Sequence, residues 1–273
     1  MVYLLLLLLG LGVGAFGTLI GAGGGFILMP ILLLAYPDTN PVALTAISLA
    51  VVFFNAASGS YSYARMKRVD FKSGLLFLLS GVPGAIAGAG IIHFIPRRAF
   101  NFAFGSFLLA GGLFVLLRSS SHGEPRNQLR GTFRRDFSDA DGMRHTYAYN
   151  LALGMALSFA VGMASSMLGI GGGIIHVPAM VNLLDFPVHV ATATSHFILS
   201  VMSLTATVMH VIDGALGWQE APRVLAIAAG AVAGAQLGAQ MSTHVHGRWI
   251  MRSLAIALGL VGVRILIVAF TQR

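Results

Sequence analysis

The chain has 273 residues, of which 56% are hydrophobic and 10% are charged. Because a soluble domain carries about 25% charged residues, this composition excludes an ordinary soluble protein and predicts an all-α polytopic membrane protein. The formal net charge is +8, yet most lysines and arginines lie between apolar segments, where the positive-inside rule explains them without a nucleic-acid partner. The chain contains no cysteine, which excludes disulfides and cysteine metal ligands.

Apolar segments of membrane-spanning length recur along the first part of the chain. Residues 2–20 are apolar and lack the basic start of a signal peptide, so we expect a retained first helix. A glycine-rich stretch follows, and then a short apolar piece over residues 26–35. The pattern predicts further helices in this part over residues 42–64, 71–94 and 99–117.

The segment 118–145 differs from the rest because it is rich in arginine and aspartate. We predict that it is a solvated cytoplasmic linker between a first transmembrane repeat, 1–117, and a second, 146–273. Helices in the second repeat are predicted over residues 147–168, 174–184, 188–212, 221–241 and 249–270. Closely spaced glycines in two helices predict tight helix packing, namely Gly81, Gly84 and Gly88, and Gly230, Gly234 and Gly238.

One glycine-rich motif occurs twice. Gly21–Pro30 reads GAGGGFILMP, and Gly169–Pro178 reads GIGGGIIHVP. Glycine is unfavourable in a helix by roughly 1 kcal/mol relative to alanine, so both runs are expected to interrupt the helix inside the bilayer. Unwound backbone at that depth is tolerated only where protein buries it or where it lines a wet cavity. Paired interruptions in two halves therefore point to the binding site of a transporter.

The duplicated motif predicts about eight transmembrane helices in two homologous four-helix halves. If each broken segment crosses the membrane once, both termini are cytoplasmic. If each is re-entrant, the halves are inverted, and we favour this arrangement because Arg248 and Arg252 then join the cytoplasmic side.

Main-chain amides at the two breaks are the first candidate binding groups. The helix that restarts after each break has free N–H groups and a partial positive charge, which attract an anion. Glycine lets the backbone approach such a ligand closely. The candidate residues are Gly23, Gly24, Gly25, Gly171, Gly172 and Gly173. The alternative is that these glycines only allow the helices to pack or bend.

Hydroxyl side chains repeat after each motif. Thr45 and Ser48 share one helix face, as do Thr192 and Ser195, and hydroxyls can donate hydrogen bonds to anion oxygens. Asn55 lies deeper in the same helix as Thr45 and is a further candidate donor. The alternative is that the hydroxyls bond to their own helices or join two helices together.

Three histidines fall in apolar segments, where ionisable groups are often functional. His196 follows Ser195 directly and is a candidate for anion binding or proton relay, although a neutral structural histidine is an equal alternative. For His176 and His210 we favour the structural role. No zinc motif is recognised, so no metal site is predicted.

Two other functions are considered and set aside. The glycine runs lack the Gly-Lys-Ser/Thr of a nucleotide loop. A membrane serine protease would need Ser58 or Ser60 at a helix start beside a base, and both lie in the later part of a helix.

The paired Gly-x-Gly-Gly-Gly-x-x-x-x-Pro motifs, each followed by Thr-Ala-x-Ser, resemble those of the TauE/SafE sulfite exporter family. The resemblance covers residues 10–268 and implies a multi-pass protein of the bacterial inner membrane, not an enzyme and with no cofactor. It implies a secondary transporter that moves small sulfur-containing anions such as sulfite, thiosulfate, sulfoacetate or sulfonates, with export as the usual direction and protons as a candidate coupling ion. An anion channel that uses the same glycine site as its filter is the alternative. His196 stands where the first copy has Leu49, so the two halves are not chemically equivalent.

Overall fold

The computed structural model describes residues 2–119, 133–242 and 247–271, and these are almost entirely helical. The first part contains α1 (Val2–Ile20), α2 (Gly25–Ala35), α3 (Pro41–Arg65), α4 (Phe71–Ile91), a 3-10 turn (Ile92–Phe94) and α5 (Arg97–Ser119). The second contains β1 (Phe133–Ser138), β2 (Arg144–Tyr149), α6 (Leu151–Leu168), α7 (Gly173–Leu183), α8 (Val188–Ile212), α9 (Ala221–Met241) and α10 (Gly247–Thr271).

Six helices in the described part of the chain are long and apolar enough to cross a membrane. They are α1, α3, α4 with its 3-10 turn, α6, α8 and α9. Helices α2 and α7 are apolar but have only 11 residues each, which is about 16 Å and too short to cross the hydrocarbon core alone. The helices therefore support a polytopic membrane protein, as the composition predicted.

The predicted helix bounds are confirmed within a few residues for most elements, and for α1, α8 and α9 they are identical. The prediction that residues 147–168 form one helix is wrong at its start, because residues 144–149 form strand β2. Asn150 caps α6, and its side chain accepts a hydrogen bond from the amide of Leu153. The prediction of an all-α fold is therefore wrong in this segment, because β1 and β2 form an antiparallel hairpin in which Phe133 pairs with Tyr149.

The hairpin is tied to the helices through Asp70, the N-cap of α4. Both carboxylate oxygens of Asp70 accept hydrogen bonds from Arg135, each at 2.8 Å, and Tyr147 donates another at 2.7 Å. Burial alone would raise the pKa of Asp70, but these bonds and those from Ser73 outweigh it and hold that pKa below its usual value. The amide of Asp70 donates to Oγ1 of Thr194, so the same residue connects the hairpin to α8.

Rows of glycine bring two helix pairs into close contact. Gly230, Gly234 and Gly238 of α9 face backbone atoms of α1, and a Cβ at any of them would collide with a carbonyl oxygen. Gly84 and Gly88 of α4 meet carbonyl oxygens of α6 in the same way. The predicted packing faces are thus confirmed, and in both pairs the two helices run in the same direction.

The connections lie on two opposite faces of the bundle. The hairpin face contains residues 66–70, 133–149 and 184–187, where the amide of Ala140 bonds to the carbonyl of Met66. The His93 face contains residues 36–40, 92–97 and 213–220, where the guanidinium of Arg97 bonds to the carbonyl oxygens of Leu33 and Thr39. Helices α3 and α8 run between these faces in opposite directions.

Helices α6 and α7 form a tight reversal, as do α1 and α2. Tyr149 precedes α6 and Phe186 follows α7, and their rings lie 5.0 Å apart, so this pair begins and ends at the hairpin face. Helix α1 runs parallel to α9 from the His93 face. Tyr36, just after α2, lies under the guanidinium of Arg223 in the first turn of α9, at 5.0 Å. The α1–α2 pair thus begins and ends at the His93 face.

Candidate functional site

The two glycine breaks adopt the same backbone conformation. Gly21, Gly23 and Gly24 have φ angles of 86°, 71° and 79°, and the matching Gly169, Gly171 and Gly172 have 69°, 81° and 75°. Only glycine takes this left-handed conformation routinely, which explains why both runs are rich in it. Gly24 and Gly172 are the N-caps of α2 and α7, so each short helix starts directly at its break.

The breaks pack against each other at the centre of the bundle. A Cβ built on Gly25 would lie 2.7 Å from the carbonyl oxygen of Ile170, and one on Gly173 would collide with the carbonyl oxygen of Gly21. The side chains of Val52, midway along α3, and Leu199, midway along α8, fill the space beside both breaks. The start of each short helix therefore lies against the break of the other half.

Each short helix presents amides that have no acceptor within the helix. The amides of Ile27 and Leu28 bond to the carbonyl of Gly24, which leaves those of Gly25 and Phe26 at the open end of α2. At α7 the amides of Ile175 and His176 bond to the carbonyl of Gly172 in the same way, but the amide of Gly173 bonds to the carbonyl of Gly171, which leaves that of Ile174 at the open end. Both ends carry the partial positive charge of a helix N-terminus, so they can hold an anion without a charged side chain.

Each of the two predicted serines bonds to the glycine break that lies farther from it in the sequence. Ser48 donates to the carbonyl of Gly169 at 2.6 Å, and Ser195 donates to the carbonyl of Gly21 at 3.3 Å. Each serine thus fastens the first glycine of the opposite break. Their hydroxyl hydrogens are engaged in this structure, which corresponds to the structural alternative considered for them.

The two predicted threonines contact the breaks but have no hydrogen-bond partner. Oγ1 of Thr45 and Oγ1 of Thr192 are both buried and unpaired. A Cβ on Gly169 would lie 3.2 Å from Oγ1 of Thr45, and one on Gly21 would lie 2.9 Å from the methyl group of Thr192. A buried hydroxyl without a partner costs free energy, so these two donors are free to bind a ligand.

Asn55 and His196 meet at a residue that the sequence reasoning missed, Thr18 in the last turn of α1. Oγ1 of Thr18 donates to Oδ1 of Asn55 at 3.2 Å, and Nε2 of His196 lies 3.2 Å from Oγ1 of Thr18. All three side chains are buried, and Nδ2 of Asn55 has no partner. The only available signal for Thr18 was its position three residues before the first break, which Ser166 matches in the second half.

The remaining candidates lie away from the breaks or bond elsewhere. His176 is buried against Ser158, whose Oγ lies 3.0 Å from Nε2, in line with the structural role favoured for it. Ser58 donates to the carbonyl of Val232 and accepts from Gln236. That arrangement provides no base, so it gives no support to a serine nucleophile.

Residues 21–25 and 169–173 are all buried, and none of the side chains described around them carries a fixed charge. An ion there would be surrounded by main-chain amides and carbonyls, hydroxyls, one carboxamide and the imidazole of His196, with aliphatic side chains behind them. Such a setting is chemically suited to a small oxyanion, whose oxygens accept hydrogen bonds, and offers no carboxylate for a metal cation.

Comparison with known proteins gives a consistent result. The family model described as Sulfite exporter TauE/SafE matches residues 6–265. The chain is similar to the probable membrane transporter protein YunE of Bacillus subtilis, with 35% identity over 97% of this chain and 98% of that protein. It is also similar to the probable membrane transporter protein MJ0441 of Methanocaldococcus jannaschii, with 24% identity over 96% and 95% of the two chains. No solved structure matches the chain.

Proposed function

Because the chain belongs to the sulfite exporter TauE/SafE family of membrane transporters, we propose that it is a secondary transporter of small sulfur-containing anions in the bacterial inner membrane. Sulfite, thiosulfate, sulfoacetate and other sulfonates are the substrates to test first. We propose export as the direction and protons as the coupling ion to test.

One observation carries this proposal: two helix N-termini restart inside the bundle, at glycine breaks that pack against each other. The free amides of Gly25 and Phe26 and the unpaired hydroxyls of Thr45 and Thr192 are donors, and a sulfur oxyanion has only acceptors to offer them. These residues, with Gly23, Gly24, Gly171, Gly172, Gly173, Ser48, Ser195, Asn55 and His196, form the proposed substrate site.

The proposed membrane arrangement has two inverted halves of four segments each. In it α1–α2 and α6–α7 are re-entrant pairs that enter from opposite faces, even though α1 and α6 are long and apolar enough to cross alone. Helices α3, α4, α8 and α9 cross, together with α5 and α10. More basic residues lie near the hairpin face than near the His93 face, so the positive-inside rule favours the hairpin face, and the central linker with it, as the cytoplasmic side. The described basic residues near that face include Arg65, Lys67, Arg68, Lys72, Arg134, Arg135, Arg144, Arg248 and Arg252, against Arg97, Arg98 and Arg223 on the His93 face.

Alternating access is the mechanism that suits buried breaks. In the arrangement described, Val52 and Leu199 lie against the breaks, so an anion needs one half to move relative to the other before it can enter. A membrane potential that is negative inside favours the exit of an anion by about 2.3 kcal/mol per charge per 100 mV, which makes export favourable.

The test is transport by the purified protein in liposomes loaded with one sulfur anion at a time. A double variant, Thr45→Val with Thr192→Val, removes both unpaired hydroxyls while keeping the side-chain shape. Hydrogen bonds to a charged ligand are worth about 1.5–3 kcal/mol, so we expect at least about a tenfold loss in flux at low substrate concentration.

The matched control is Thr205→Val with Thr207→Val. Their hydroxyls bond to carbonyls of their own helix, those of Val201 and Ser203, so the flux should not change. The proposed site is rejected if the Thr45 and Thr192 variant transports normally. Saturable flux with counter-flow supports a carrier, whereas single-channel currents would identify an anion channel instead.

A further inference from the structure

We propose that His93, His210 and Asp213 form a binding site for a divalent transition-metal cation of the zinc class, on the His93 face. The site is remote in sequence from both glycine breaks and does not rest on the transport proposal. It also goes against the sequence prediction of no metal site, which considered only local motifs.

Donor geometry is the first observation behind the proposal. Nε2 of His93 lies 3.3 Å from Oδ2 of Asp213, and one donor atom from each of the three residues lies within 4.8 Å of the other two. Zinc bonds of about 2.0–2.2 Å place neighbouring ligand atoms of a tetrahedral site about 3.4 Å apart. The His93–Asp213 edge already has that length, and the His210 nitrogen, within 4.8 Å of the other two donor atoms, has to move by up to about 1.4 Å to become the third ligand.

The state of His210 is the second and independent observation. Its side chain is fully buried, and neither ring nitrogen has a hydrogen-bond partner. Leaving a buried polar group unpaired costs about 1–3 kcal/mol, and a metal ion bound to one of those nitrogens would remove part of that cost. The contact between His93 and Asp213 does not account for His210, because the His210 and His93 rings are tilted and lie 6.2 Å apart.

The fold supplies the three ligands from two rigid elements. His210 and Asp213 are spaced by three at the end of α8, so they share one face, while His93 projects from the 3-10 turn that follows α4. A bound ion would therefore link the end of α4 to the end of α8. His, His and Asp is a ligand set that zinc accepts, with a fourth position left for water or another carboxylate.

An open cleft of about 710 Å³ provides access to this site. His93 and Asp213 line it together with Asn40, Trp218 and Glu220. One oxygen of Glu220 accepts from the amide of Gly217, which places a further carboxylate in the same cleft. An ion can reach His93 and Asp213 from solvent without any movement of the helices, as a metal site requires.

The experiment is calorimetric titration of Zn²⁺ into chelator-treated protein in nanodiscs, without a polyhistidine tag. All samples carry His244→Gln and His246→Gln, so that those two histidines cannot contribute. We expect one site per chain with micromolar affinity or tighter, and Co²⁺ bound in place of Zn²⁺ should give the visible absorption of a tetrahedral site. His93→Gln and Asp213→Asn should each weaken binding at least about tenfold.

Two matched variants serve as controls. Asp38→Asn removes the same charge from the same face, and His189→Gln removes an imidazole elsewhere in α8; neither should change Zn²⁺ affinity. His210→Gln is interpreted only if its melting temperature without metal equals that of the parent. Absence of Zn²⁺ binding, or equal binding in the His93→Gln and Asp213→Asn samples, overturns the proposal. Equal losses in Asp38→Asn and Asp213→Asn also overturn it, because they indicate general surface attraction.

Discussion

The two glycine breaks have the same main-chain conformation but different surroundings. Backbone angles at Gly21, Gly23 and Gly24 match those of their counterparts within about 20°, and a serine from the opposite half fastens each break. The side chains around them differ. Beside the first break lie Thr18 and His196, which bond to each other.

The positions equivalent to this polar cluster are less polar in the other half. By the same offsets, Thr18 corresponds to Ser166, Asn55 to Met202 and His196 to Leu49. The backbone conformation of the breaks is thus repeated, whereas the side chains beside the two breaks differ in polarity. The comparison teaches that two breaks with the same backbone can form the two sides of the proposed anion site, while a single histidine makes those sides unequal.

The largest expected effect comes from adding a methyl group to each break. Gly24→Ala forces an alanine into a left-handed conformation, which costs about 1–2 kcal/mol of free energy. The new Cβ would lie 2.6 Å from a methyl group of Val13 and 2.8 Å from the carbonyl oxygen of Val13. At Gly172 the nearest atoms, in Ser165 and Val161, are 3.0 Å away. We expect both variants to lose most transport, and Gly24→Ala to melt at the lower temperature.

Gly12→Ala and Gly90→Ala are the controls for this comparison, measured by thermal melting and liposome flux. Both glycines are helical with open space where a Cβ would go, so alanine should be neutral or stabilising. If the break variants behave like these two, the left-handed glycines are not needed for the fold or for transport.

The sequence predicted what depends on local pattern. Helix bounds, the two breaks and the glycine packing faces followed from hydrophobic runs and residue spacing, as the identical bounds of α8 illustrate. The hairpin was missed because it is short and rich in arginine, and its strands are stabilised by docking onto Asp70. The cluster of Thr18, Asn55 and His196 was also missed, since only the packing of α1 against α3 and α8 brings these residues together.

A second contrast between the halves lies at the starts of α4 and α9. Asp70 is buried and bonded to Arg135, whereas the side chain of Glu220, at the start of α9, makes no capping bond to that helix and accepts a hydrogen bond from the amide of Gly217. Asp70→Asn should lower stability by about 2–3 kcal/mol, because it weakens charged hydrogen bonds that dock the hairpin. Glu220→Gln should have little effect.

Limited proteolysis of the hairpin, together with thermal melting, distinguishes these two variants. We expect Asp70→Asn to expose residues 133–149 to cleavage and Glu220→Gln to leave them protected. Equal protection in both would mean that strand pairing and the aromatic contacts of Tyr147 and Tyr149 hold the hairpin without the ion pair.

The smallest expected effect is the most informative about the unequal sides. His196→Leu gives this position the side chain that Leu49 already has, and it leaves the hydrogen bond from Thr18 to Asn55 in place. We expect flux to fall about tenfold, which is about 1.4 kcal/mol, while the melting temperature stays the same or rises because a buried imidazole has been removed.

His176→Leu should give the opposite result, because it removes the hydrogen-bond partner of Ser158 and His176 is not one of the proposed substrate-binding residues. Its melting temperature should fall while flux per folded molecule is retained. A normal flux in His196→Leu would show that the imidazole only fills space, and the two breaks would then be equivalent in function as well as in backbone. A loss of flux in His196→Leu with its melting temperature unchanged would instead assign the asymmetry to the transported anion or its coupling ion, because packing would have been preserved.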